Sequence, residues 1–131
     1  MFPMLTDLAK ELIDGPNYAT VATLNADGSL QQSVVWVELK DDAVLFSTLV
    51  GRVKERNLAR DPQISLLVID KDNPYRWATI RGTAEFNFDE ADEKIDVLSR
   101  KYTGADWAGP REGKRVNILI RPTRVTQYPA A

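Results

Sequence analysis

A chain of 131 residues that is 44% hydrophobic and 27% charged, with a formal net charge of −2, suits one globular domain whose partner is not nucleic acid. It has no cysteine and no histidine, which excludes a disulfide framework, a thiol nucleophile, a Ser-His-Asp triad and the common metal sites, so chemistry is expected from a bound organic cofactor. No apolar run approaches the roughly 20 residues that span a bilayer, and Met1 to Asp7 lacks the flanks of a signal peptide, so the expected location is the cytoplasm, away from the membrane.

Leu5, Leu8, Ala9, Leu12 and Ile13 recur at helical spacing, and Gly15-Pro16 ends the pattern. Tyr18 to Leu24 reads as a strand, Asn25-Ala26-Asp27-Gly28 as a tight turn with Gly28 left-handed, and Leu30 to Leu39 as the returning strand. Lys40-Asp41-Asp42 turns into Ala43 to Thr48, and a short basic helix follows until Asp61-Pro62 ends it. Ile64 to Ile69 is apolar enough for a central strand. Asp70 to Arg76 reads as a turn, and Trp77 to Phe88 as a long strand bulged or bent at Gly82. Asp89 is expected to cap a helix with Ala91, Ile95, Leu98 and Tyr102 on one face. A polar loop runs from Gly104 to Gly113, and Arg115 to Tyr128 is a strand pair or bent strand interrupted at Pro122. About six strands and three helices joined by hairpins predict a mainly β fold, a closed or split antiparallel barrel.

The stretch from Ser47 to Pro62 carries the chemistry. Two hydroxyls, Ser47 and Thr48, stand at a strand end, and Arg52 and Lys54 fall in the first turn of the next helix. Cations are unfavourable at the positive end of a helix unless an anion lies against its free N–H groups, so the segment reads as a phosphate cradle. On an irregular first turn the two converge, Arg supplying a fork and Lys a point charge. The alternative is a solvated basic helix capped by Ser47 or Thr48. Trp36, Trp77 and Trp107 are read first as core or interface residues.

Taken in order, several motifs resemble the pyridoxamine-phosphate-oxidase-like split-barrel superfamily of flavin-binding proteins. They are Asp27-Gly28 between two strands, Phe46-Ser47-Thr48, Arg52-Val53-Lys54, Arg56-Asn57-Leu58, Arg60-Asp61-Pro62 and Arg81-Gly82-Thr83-Ala84. The likeness covers nearly the whole chain, and the Arg-x-Lys-x-x-Asn-Leu-x-x-Asp-Pro spacing is most similar to actinobacterial reductases that use the deazaflavin coenzyme F420. The resemblance implies a homodimer with two cofactors in grooves between subunits. It implies that Ser47, Thr48, Arg52 and Lys54 hold the cofactor phosphate, with Asn57 beside it. It also implies that Ser33-Val34-Val35-Trp36-Val37 runs along the tricyclic ring and bonds its pyrimidine edge through main-chain groups.

The implied activity is hydride transfer from the reduced deazaflavin to an electron-poor small molecule: a conjugated carbonyl, lactone, quinone or tetrapyrrole. Trp36, Tyr75 and Trp77 would line the substrate pocket, with water or Tyr75 delivering the proton. Two alternatives stay open: an FMN-dependent oxidoreductase on the same scaffold, and a non-catalytic carrier of F420 or FMN. Arg56 and Arg60 bear on the longer anionic tail of F420. The C-terminus, Arg124 to Ala131, lacks the basic extension of a true pyridoxamine-phosphate oxidase.

Overall fold

Thr6 starts the first helix, its hydroxyl accepting the Ala9 N–H at 3.1 Å, and α1 (Asp7–Asp14) turns Ala9, Leu12 and Ile13 into the core. The structure is a computed structural model that describes residues 5–130; the readings that rest on residues 1–4 and on residue 131 lie outside these. β1 (Ala19–Leu24) and β2 (Leu30–Val35) pair through a turn in which Gly28 has φ +86°. β3 (Glu38–Lys40), β4 (Ala43–Leu49) and α2 (Val53–Arg60) follow. β5 (Gln63–Asp70), β6 (Asn73–Asn87), α3 (Ala91–Thr103) and β7 (Arg115–Tyr128) complete the order. Among the described residues no helix is long and apolar enough to cross a membrane.

All seven strands join one antiparallel sheet in the order β2-β1-β5-β6-β7-β4-β3. Its two edge strands, β2 and β3, are consecutive in the chain and joined only by Trp36-Val37. The sheet must therefore curl until its edges adjoin, which makes a mainly β, split barrel with three helices. Strand alternation turns Phe46, Leu66, Ile80, Ile118 and Ile120 inward, and α1 packs into this core against β3, β5 and β6. A smaller cluster lies outside the barrel, where Leu98 of α3 covers Ala43, Leu45 and Leu119.

Three expectations are corrected. The strand expected over Leu30 to Leu39 is two, because the chain leaves one sheet edge at Val35 and joins the other at Glu38. The turn expected over Asp70 to Arg76 shrinks to Lys71-Asp72. The Asp70 carboxylate takes the Asp72 N–H at 2.8 Å, and Asp70 already pairs with Asn73. The helix cap is Glu90, in the left-handed region at φ +56°, with no side-chain bond, rather than Asp89. The Asp89 carbonyl is instead held by the Asn117 amide at 3.3 Å. Of the two readings of Arg115 to Tyr128 the bent strand holds: β7 is one strand whose Pro122 sits at a register shift opposite Gly82. Glycine is required there because a Cβ would overlap the Arg121 carbonyl.

The C-terminal turn of α3 fastens the junction between β2 and β3. Tyr102 donates its hydroxyl to the Asn17 carbonyl at 2.6 Å and accepts the Val37 N–H at 3.1 Å. Lys101 Nζ donates to the carbonyls of Ile13 and Val37, each at 2.6 Å. Burial pulls the Lys101 ammonium down to about 8, against the opposing pull of Asp14 and Glu38.

The unfolded chain, with an ordinary lysine near 10.4, binds more protons than the folded one between those values, so this group makes stability rise with pH across that window. Urea unfolding of wild type and Lys101→Met at several pH values checks this. The difference in their stabilities should move in favour of wild type as pH climbs from about 8 to about 10. A difference that stays flat contradicts the assignment.

Candidate functional site

The adjoining sheet edges do not pair with each other. β2 has a partner on one side only, and β3 covers β4 only through Ala43 to Leu45, so β4 from Phe46 to Leu49 has no strand neighbour on that side. A cavity of about 290 Å³ opens at this split. Val34, Val35 and Trp36 line it from the end of β2, and Ser47, Thr48 and Leu49 from the end of β4. Ile95 and Leu98 of α3 and Trp107 from the following loop complete the apolar wall. Arg52, Lys54 and Arg115 add three cations, and among the described residues no carboxylate lines the cavity.

Among the described residues none of these three cations is in an ion pair. Burial, and then the Arg52 charge, pulls Lys54 below the usual lysine value. Burial does the same to Arg115, against the opposing pull of Asp92 and Asp96, and the Arg52 and Arg111 charges add to it. Arg52 is the N-cap of α2 and has extended backbone, no side chain caps the helix, and the Glu55 carboxylate takes the Gly51 N–H at 2.7 Å. Neither Ser47 nor Thr48 serves as cap. The capping expected of them is thus absent, while Arg52, Arg56 and Arg60 are exposed, as on a solvated basic helix, and the free N–H groups of the first turn stand beside the cations.

The remaining residues expected at the site lie elsewhere in the chain. Asn57 is buried and knots α2 to the β1–β2 hairpin: its amide donates to Thr23 Oγ1 at 3.0 Å and Asn25 Oδ1 at 2.8 Å, while its carbonyl accepts from Arg60 at 3.1 Å. Ser33 is in register with the core residue Val21, and its buried hydroxyl has no partner. Val37 is fully buried, and both its main-chain groups are taken by Tyr102 and Lys101. Of this stretch, Val34, Val35 and Trp36 line the cavity. Tyr75 is exposed near the start of β6, and Trp77 stacks on Tyr128 at 6.5 Å, both outside the cavity.

Sequence inspection passed over Arg115, Ile95, Leu98 and Leu49 as site residues and left Trp107 as a core or interface residue. The available signals were an isolated Trp in a polar loop and a cation at a strand start, neither of which says what lies across the fold.

Residues 5–128 match the family described as Pyridoxamine 5'-phosphate oxidase. The chain belongs to this family. A solved structure named F420 reductase is similar at 30% identity and TM-score 0.81, with 89% of this chain and 94% of that one aligned. A conserved hypothetical protein from Mycobacterium tuberculosis is similar at 25% identity and TM-score 0.77, covering 96% of this chain and 85% of that one. HupZ of Group A Streptococcus shares the fold of the family at 23% identity and TM-score 0.70, over 95% and 94% of the two chains.

If Lys54 holds a bound phosphate, its replacement by Ala removes one charge-assisted hydrogen bond, and affinity for a phosphate-bearing cofactor should fall about ten- to a hundredfold. The free Lys54→Ala protein should melt at or slightly above the wild-type temperature, since an uncompensated cation leaves a helix start. Calorimetric titration and thermal melting measure both. Unchanged affinity would remove the phosphate cradle.

Proposed function

We propose that the protein is an F420H2-dependent reductase acting on an electron-poor small molecule such as a conjugated carbonyl, lactone, quinone or tetrapyrrole. The observation that carries this is the pairing, in one cavity, of a strand edge without a partner and three cations that make no ion pair among the described residues. An open strand edge offers N–H donors and C=O acceptors in alternation, which suits the pyrimidine edge of a deazaflavin or flavin. Arg52 and Lys54 suit its phosphate, and the hydroxyls of Ser47 and Thr48 suit the remaining phosphoryl oxygens. The donor set thus fits the cofactor, and the likeness to an F420 reductase favours the deazaflavin over FMN.

When bound, the reduced deazaflavin supplies a hydride to the substrate. The chain's own residues bind, orient and exclude water. The cations and hydroxyls would hold one end of the cofactor and the β2 edge would bond its ring, while Trp36 and Trp107 wall the cavity. No carboxylate or histidine lines the cavity, so within one chain the proton comes from water.

Tyr75 and Trp77 join a site only across a dimer. Support for that dimer comes from the outer sheet face. There Val34 and Leu67 flank Thr20 in register, Leu30 stands nearby on the same strand as Val34, and the three apolar side chains are 64%, 39% and 66% exposed, respectively for Val34, Leu67 and Leu30. A second copy would cover this face.

Titration of the purified protein with F420 and with FMN tests the cofactor. Tighter F420 binding is expected, and equal or tighter FMN binding moves the assignment to an FMN-dependent oxidoreductase. Binding of F420 without reduction of any electron-poor acceptor would indicate a carrier. Light scattering should give about twice the chain mass of 14.7 kDa, and a mass near 14.7 kDa would sink the shared site.

A further inference from the structure

Neither Tyr102 nor Asp96 lines the cavity, yet each holds one of the two indoles that do. Trp36 lies flat against the Tyr102 ring, with centroids 5.5 Å apart and planes at 10°. The Tyr102 hydroxyl accepts the N–H of the next residue, Val37, at 3.1 Å and donates to the Asn17 carbonyl at 2.6 Å. One side chain thus fixes the plane of the Trp36 ring and the main chain that carries it. Phenylalanine would keep the ring contact and lose both hydrogen bonds.

Asp96 does the corresponding work for Trp107. Its Oδ1 accepts the Trp107 N–H at 2.9 Å, and Arg111 grips the carboxylate with both prongs at 2.8 and 3.2 Å. Arg111 also donates to the Trp107 carbonyl at 3.0 Å, so one ion pair holds the Trp107 main chain at N–H and C=O. The side chain of Arg111 is 55% exposed, and such a pair adds little stability, so its effect lies in orientation. Trp107 belongs to neither buried hydrophobic cluster, and Trp36 only packs against the smaller one, so burial in the core does not by itself orient these rings. They meet at 5.8 Å and 84°, a directional contact through which a tilt of one disturbs the other.

We propose that Tyr102 and Asp96 are positioning residues of the site, through which α3 holds Trp36 and Trp107 edge to face and so sets the wall against which the ring of the ligand fits. This rests on the assignment of the cavity to a flavin-like cofactor. Ile95 and Leu98 of the same helix line the cavity directly, so one element supplies part of the wall and orients the rest. Rings held in place before the ligand arrives lose less freedom on binding it, and affinity gains accordingly.

Time-resolved fluorescence anisotropy of the free protein reads the freedom of each ring. With Trp77 and Trp107 replaced by Phe the one indole left is Trp36, and with Trp36 and Trp77 replaced it is Trp107. Tyr102→Leu should add a fast depolarisation of Trp36, and Asp96→Ala one of Trp107. Ile80→Val, a change in the barrel core away from the cavity, should add neither. In the chain with all three indoles, calorimetric titration with F420 and with FMN should show an affinity about three- to tenfold weaker in Tyr102→Leu, the worth of one aromatic pair. Because losing an acid also favours an anionic ligand, Asp96→Ala is judged on the anisotropy alone. Unchanged anisotropy in a folded Tyr102→Leu or Asp96→Ala protein overturns the proposal, as does an equal loss of affinity in Ile80→Val. If Tyr102→Leu does not fold, Tyr102→Phe decides: a smaller but measurable gain in Trp36 mobility is expected, and none overturns. A wild type that binds neither F420 nor FMN, with both ring mobilities changed as expected, would overturn the assignment of function and leave the positioning of the rings standing.

Discussion

The site depends on a step of two residues in the chain. Trp36 and Val37 are all that separates β2 from β3, yet these strands occupy opposite edges of a seven-stranded sheet. So short a connection cannot cross an open sheet, so the sheet has to close on itself. It closes imperfectly, because β3 ends where β4 continues. The open main-chain edges that remain would ordinarily invite pairing with another chain. Here they border a cavity, with Trp36 at the step itself turned outward and Val37 turned into the core.

Holding that step in place takes two layers. Inside the barrel, apolar side chains such as Phe46, Leu66 and Ile118 are fully buried, each contributing about 1.5–3 kcal/mol relative to exposure. Outside it, α3 supplies Lys101 and Tyr102 to the main chain of Val37, and Trp36 stacks on the Tyr102 ring at 5.5 Å and 10°. The aromatic contacts then continue from Tyr102 through Trp36 to Trp107 and end at Arg115. A structural clamp on one side of α3 is thereby in contact, side chain by side chain, with the wall of the cavity on the other.

The cavity itself works against stability. Three cations share a partly buried space with no carboxylate among its lining residues, and burial lowers two of them from their ordinary values. A sequence selected only for folding would neutralise them. Their persistence beside a helix start with no side-chain cap is the kind of local conflict that marks a binding site, where the ligand supplies the missing charge.

Much of the fold was written in local pattern. Helical spacing from Leu5 to Ile13, the Asp27-Gly28 turn, the bulge at Gly82 and the hydroxyl-then-cation run from Ser47 to Lys54 all depend on neighbours within a few residues, and periodicity and turn chemistry report on such distances. Pairing between distant strands is not encoded at that range. Only the β4–β7 register sets Arg115 beside Ser47, only the route of the chain from one sheet edge to the other breaks the strand at Trp36, and only the packing of α2 on β1 turns Asn57 into a structural knot. Tyr75 and Trp77 likewise looked like cavity aromatics in the sequence, and the length of β6 carries them away from it. The sequence by itself determined which segments are strands and helices and where hydroxyls and cations are concentrated, because both follow from short-range chemistry. The tertiary structure alone decided which of those residues share one cavity, because that depends on how a sheet closes.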